Sequence, residues 1–239
     1  MISLRLLPSI SLAFVLLLVV AFAGIANAGS PLVLCLGDSL TEGYQVEPEA
    51  AFPALLQAAL RERGWLEAEV INAGISGSTS AGAVSRLRWQ LRRRPDVLVL
   101  ALGANDGLRG VDPASTKNNL SDAIDLALSE GIKVLLAGMK LPPNYGAEHT
   151  AAFEAVFTEL AEEKQVALLP FLLRCVAARP ELNLAEGIHP NAKGYPVVAN
   201  TVIEHLEPLL PPQASVATTD PRTDTATAHA QTAQEEPTE

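Results

Sequence analysis

The chain has 239 residues, a formal net charge of −10 at pH 7 and a hydrophobic content of 49%. That acidity argues against a nucleic-acid partner, and the two cysteines lack the spacing of a zinc site. The glycine-rich segments have neither the G-x-x-x-x-G-K nor the G-x-G-x-x-G spacing of nucleotide-binding loops, so nucleotide binding has no support.

The first element is a targeting segment. Arg5 precedes an almost wholly apolar run from Leu6 to Ala23, and Ala26-Asn27-Ala28 places small residues at the −3 and −1 positions of a cleavage site. Residues 1–28 therefore read as a secretory signal peptide, with an uncleaved anchor helix as the competing reading. Export implies a periplasmic or secreted protein with no stable membrane insertion after cleavage.

Short apolar runs then alternate with helical patterns. Strands are expected at 32–36, 69–72, 96–100, 132–137 and 166–169. Helices are expected at 51–63, 79–94, 113–130, 147–164 and 192–209, with Gly64 and Gly131 as stops and Pro113 in a first turn. Five strands alternating with helices predict a parallel sheet covered on both faces, a three-layer α/β/α sandwich of flavodoxin-like order 2-1-3-4-5. The folded part is residues 29–210. The Pro/Ala/Thr-rich acidic segment 211–239 has no apolar periodicity and is expected to be disordered. Arg86, Arg88, Arg92, Arg93 and Arg94 fall in the last turns of the second helix, where cations complement the dipole and stay solvated. Cys35 falls on a core strand and Cys175 after a different one; two free thiols are expected.

In such a fold the loops after the strands share the carboxyl edge, where open sheets bind their ligands. Those loops hold Gly37-Asp38-Ser39-Leu40, Gly74-Ile75-Ser76-Gly77, Gly103-Ala104-Asn105-Asp106, and the stretch from Lys140 to Gly146. Glu186-Gly187-Ile188-His189 precedes the last helix. A serine, a histidine with an acid three residues earlier, and an amide donor make up a nucleophile, a base, an orienter and an oxyanion stabiliser. Asp38 and Asp106 read as structural groups that bond backbone amides. His149 reads as exposed and inert, and His205 and His229 have no evident partner. The segment around Ser39 lacks the second glycine of a G-x-S-x-G elbow, which argues against the α/β-hydrolase fold.

These blocks together resemble the SGNH (GDSL) hydrolase family. The resemblance rests on GDSL at 37–40, the glycine of Ile75-Ser76-Gly77, Gly-x-Asn-Asp at 103–106 and His-Pro at 189–190, and it covers about residues 31–209. The segments GANDGLRG (103–110), LPPNYG (141–146) and GIHPN (187–191) look like the periplasmic multifunctional thioesterase, lysophospholipase and arylesterase type. The resemblance implies Ser39 as nucleophile and His189 as base. It also implies an oxyanion hole of Ser39 N–H, Gly77 N–H and the Asn105 amide. Where the family usually has aspartate, this chain has Glu186, read as the orienter. Leu108, Val111, Leu141 and Tyr145 are expected to line an acyl pocket. No metal or organic cofactor is implied, and the expected partner is a small-molecule or lipid ester bound by a monomer. A carbohydrate acetyl esterase and a catalytically weakened binding protein are the alternatives.

Overall fold

The computed structural model describes residues 30–213. The expected leader, most of the acidic tail and His229 lie outside the described residues. The sheet has five parallel strands: β1 (Leu32–Gly37), β2 (Glu69–Gly74), β3 (Val97–Ala101), β4 (Lys133–Ala137) and β5 (Ala167–Leu169), in the order β2-β1-β3-β4-β5. The central strand β3 and its neighbours β1 and β4 are buried almost throughout, whereas the edge strands β2 and β5 are largely half-exposed. That contrast explains the sequences. A parallel strand covered on both faces is a continuous apolar run such as LVLCLG or VLVLA, while edge strand β2 tolerates Glu69 and Asn72.

The helices are α1 (Ser39–Glu42), α2 (Phe52–Glu62), α3 (Ala83–Gln90), α4 (Ala104–Leu108), α5 (Pro113–Ser129), α6 (Ala147–Lys164) and α7 (Tyr195–Leu206). Helices α2 and α7 pack together on one face of the sheet, and α3, α5 and α6 pack in sequence on the other. The result is the expected three-layer sandwich around one core. Among the described residues no helix is long and apolar enough to cross a membrane.

Several local expectations need correction. The helix expected at 79–94 is broken into a 3-10 turn (Ser80–Gly82), α3, and a second 3-10 turn (Leu91–Arg93). The last helix starts at Tyr195, three residues later than expected, because Asn191 accepts from Lys193 N–H and Gly194 N–H and holds a turn there. Two short helices, α1 and α4, occupy segments expected to be loop and turn. Residues 211–213 stay on the domain: Trp65 Nε1 donates to Pro211 O at 3.0 Å and Gln213 Nε2 to Arg63 O at 2.6 Å. Both cysteines are free, Cys35 buried and Cys175 exposed.

Candidate active site

Ser39 is positioned by the stop of β1. Asp38 caps α1, its Oδ1 accepting from Leu40 N–H at 3.0 Å, so Ser39 becomes the first residue of a helix that Gly43 ends. This helix lies against the end of β2, where Glu42 Oε2 accepts from Ser76 N–H at 2.7 Å and from the Ser76 hydroxyl. Ser39 is only 9% exposed, yet it faces a cavity of about 570 Å³ at the carboxyl edge of the sheet.

His189 reaches Ser39 from a different part of the chain. Its loop is closed by a bridge between Asn183 and Pro190 and by Leu184 N–H donating to His189 O at 2.8 Å. Asn191 Nδ2 donates to Glu181 O and Asn183 O, and Asn183 Nδ2 to Val176 O and Arg179 O. Thus pinned, His189 Nε2 lies 2.9 Å from Ser39 Oγ, and Nδ1 lies 2.7 Å from Glu186 Oε1. Glutamate at this position therefore reaches the ring despite its extra methylene. Burial raises the Glu186 pKa, but nearby backbone N–H groups and the His189 ring outweigh it and hold the carboxyl below its usual range. The Tyr44 ring lies against the imidazole, centroids 4.6 Å apart and planes tilted by 38°. Sequence reasoning missed Tyr44; an aromatic seven residues after the strand carries no signal without the fold.

The three expected oxyanion donors also meet here. Gly77 adopts φ +76°, a backbone shape that side chains disfavour, and Arg109 Nη2 donates to its carbonyl at 3.0 Å. Asn105 sits on α4 rather than on a simple turn. Its Nδ2 donates to Ser78 O at 3.0 Å and, more loosely, to Asp38 Oδ2 at 3.3 Å. Asp106 accepts from Ser80 N–H at 2.8 Å and from Ser80 Oγ at 2.5 Å, the structural part expected of it.

Leu108 and Leu141 line the cavity together with Met139, Phe171 and Leu173. Val111 and Tyr145 do not: Tyr145 turns in to pack against the hydrophobic core. His149 is half-buried in the first turn of α6, away from the cavity, rather than exposed. His205 Nδ1 lies 3.0 Å from Thr201 O, a local helix contact. Among the described residues no cluster of His, Cys, Asp and Glu has the form of a metal site.

Residues 35–197 match the GDSL-like lipase/acylhydrolase family. The chain belongs to this family. An arylesterase of Vibrio mimicus is 40% identical over 182 residues, covering 76% of this chain and 90% of the relative. The thioesterase 1/protease 1/lysophospholipase L1 of Escherichia coli K12 is 36% identical over 200 residues, 83% of this chain and 93% of the relative. The crystal structure of TesA superposes with a TM-score of 0.72 at 40% identity, covering 75% of this chain and 99% of that one. As a member of the family the chain is a hydrolase with esterase relatives across nearly the whole described domain.

One carboxyl of this GDSL hydrolase has a measurable pH signature. Asp38 is 1% exposed, and burial pushes its pKa up to about 6, against the hydrogen bonds from Leu40 N–H and Asn105 and the attraction of His189. Because the folded value lies above the model-peptide 3.8, the proton binds the native state more tightly. Its stabilising contribution is complete below pH 4 and is lost as pH rises through about 6. Urea unfolding from pH 4 to pH 7.5 should show the wild type losing about 2 kcal/mol relative to Asp38→Asn. A difference that stays flat with pH would place the carboxyl at its ordinary value and refute this.

Proposed function

We propose that the chain is an exported serine esterase that hydrolyses aryl esters and lysophospholipids through a covalent acyl-enzyme. The observation that carries this reading is the 2.9 Å and 2.7 Å relay from Ser39 Oγ through His189 to Glu186, at the mouth of a largely apolar cavity. His189 Nε2 takes the Ser39 proton as Oγ attacks the ester carbonyl. The carbonyl oxygen gains charge facing Ser39 N–H, Gly77 N–H and the Asn105 amide. The tetrahedral adduct collapses, the C–O bond to the alcohol breaks, and His189 returns the proton to the departing oxygen. Water then gives its proton to His189 and attacks the acyl-enzyme, and Ser39 regains its hydrogen as the acid leaves. Glu186 keeps the imidazole in the productive tautomer and stabilises the imidazolium.

Export rests on the Ala26-Asn27-Ala28 site and the apolar run before it. An acyl chain suits walls formed by Leu108, Met139, Leu141 and Phe171. The test is a series of p-nitrophenyl esters from acetyl to palmitoyl, followed by lysophosphatidylcholine. A medium-chain optimum with release of fatty acid supports the reading. Confinement to acetyl esters would favour a carbohydrate acetyl esterase, and inertness toward the whole series would favour a binding protein.

Glu186 has its own test. Glu186→Gln keeps the shape but not the charge, and is expected to lower kcat by about 10²–10⁴. Glu186→Asp, the family's usual residue, should retain most activity if the loop shifts to close the shortened reach. Equal rates for wild type and Glu186→Gln would remove Glu186 from the mechanism.

A further inference from the structure

Arg86 was expected to be one of five solvated helix-end cations, and it is not. It lies within α3, half-buried beneath the carboxyl edge of the sheet. A single nitrogen, Nη2, donates to Gly37 O at 2.8 Å and also to Ala73 O. Gly37 and Ala73 lie at the carboxyl ends of adjacent strands, where the register of β1 on β2 stops at Gly37 opposite Gly74. Past this point one segment leads to Ser39 and the other to Gly77, still joined by Ile75 N–H donating to Gly37 O at 3.2 Å and by the Glu42–Ser76 contact. Ser39 N–H is two residues beyond the first clamped carbonyl, and Gly77 N–H is four beyond the second.

The third donor is tied to the same helix. The turn that leads into α3 holds Ser80, whose N–H and Oγ bond Asp106, the neighbour of Asn105. The guanidinium is also close enough to Asp38 to interact with it: burial lowers the Arg86 pKa and the Asp38 carboxylate opposes that. Asp38 in turn accepts from Asn105 Nδ2. Helix α3 thus connects to all three segments that carry expected oxyanion donors, and Arg86 adds to the existing backbone and Glu42 contacts a single side chain that holds both strand ends.

We propose that Arg86 is a positioning residue that sets the spacing of the Ser39 and Gly77 amides by clamping the carbonyls of Gly37 and Ala73. The proposal rests on the serine-esterase reading above. Hydrogen bonds to a developing oxyanion depend steeply on placement, and an error of about 1 Å can cost about 10²-fold in rate. Neither amide lies on a rigid element by itself, since one opens a four-residue helix and the other sits in a loop. A charged donor held between two strands restrains both at once.

The test uses the mature protein with Arg86→Met and Arg86→Lys. Methionine fills the stem's space without donors. Lysine keeps the charge, but its nitrogen is one bond nearer the backbone and falls short of the two carbonyls. With p-nitrophenyl butyrate, Arg86→Met is expected to lower kcat about 30- to 100-fold with KM within about threefold. Affinity for a boronic acid, whose tetrahedral serine adduct mimics the oxyanion, should fall in parallel with kcat. Arg86→Lys should recover only part of the loss. A merely structural role would lower the melting temperature while leaving kcat per folded molecule and boronate affinity at wild-type levels, and that result overturns the inference. Wild-type kcat in Arg86→Lys also overturns it, because charge alone would then suffice. Should Arg86→Met not fold, the lysine variant decides by the same two readouts. A wild-type protein that neither hydrolyses the ester nor binds the boronate marks failure of the esterase reading instead.

Discussion

Ser39→Ala is expected to abolish ester hydrolysis, lowering kcat by about 10⁴–10⁶ while leaving the fold intact. The size of the effect follows from the relay. With Oγ gone, His189 Nε2 has no proton to take and no acyl-enzyme can form, so the remaining cavity and donors supply only the residual catalysis of binding and polarisation. The substitution removes one oxygen from a residue that is 9% exposed, and no other hydrogen bond of Ser39 Oγ depends on it. Circular dichroism and the urea midpoint should therefore stay near wild type. Turnover of p-nitrophenyl butyrate and the pre-steady-state burst of p-nitrophenol should both vanish. Retention of more than about a tenth of the wild-type rate would show that another group is the nucleophile.

The second large effect is on stability. A methyl group at Gly74 would stand 2.1 Å from Glu42 N and 2.6 Å from Glu42 Cα, both backbone atoms of the helix that carries Ser39. Rotation of a flexible side chain cannot relieve such a clash. The end of β2 and α1 must separate, and with them the contact between Glu42 and Ser76. Overpacking costs about 1–3 kcal/mol in ordinary cores, and a backbone-to-backbone overlap belongs at or above the top of that range. Gly74→Ala is accordingly expected to lose at least about 3 kcal/mol of a total that is commonly about 5–15 kcal/mol. It should also lower kcat, because the relief moves Ser39 relative to His189. Gly82→Ala is the control: its methyl would meet only Arg86 Cδ at 3.5 Å, and its stability should change by less than about 1 kcal/mol. Equal urea midpoints for Gly74→Ala and wild type would refute the close approach.

The amino-acid sequence by itself determined the architecture, for a simple reason. Buried parallel strands must be apolar along their whole length, so runs such as LVLCLG and VLVLA are visible without any tertiary knowledge. The order of helices and strands then leaves few handed ways to wind the sheet, and the edge loops carrying Ser39, Gly77, Asn105 and His189 follow from that winding. Helix ends were legible where they are local, as at Ala147–Lys164, whose bounds match.

Other features depend on partners far away in sequence. Arg86 has the same local pattern as Arg88 and Arg92, and only the approach of β1 and β2 separates a clamp from a solvated charge. Val111 and Tyr145 are apolar residues beside cavity-lining neighbours, yet a short turn sends Tyr145 to the core. Tyr44 meets His189 across 145 residues of chain, a contact that no periodicity announces. The burial that lifts Asp38 is likewise a property of the packed edge of the sheet, not of the GDSL tetrapeptide. Residue types fix which chemistry is available. Distances, burial and the direction of each side chain arise only when segments distant in sequence are packed together, and those decide which residues form the site.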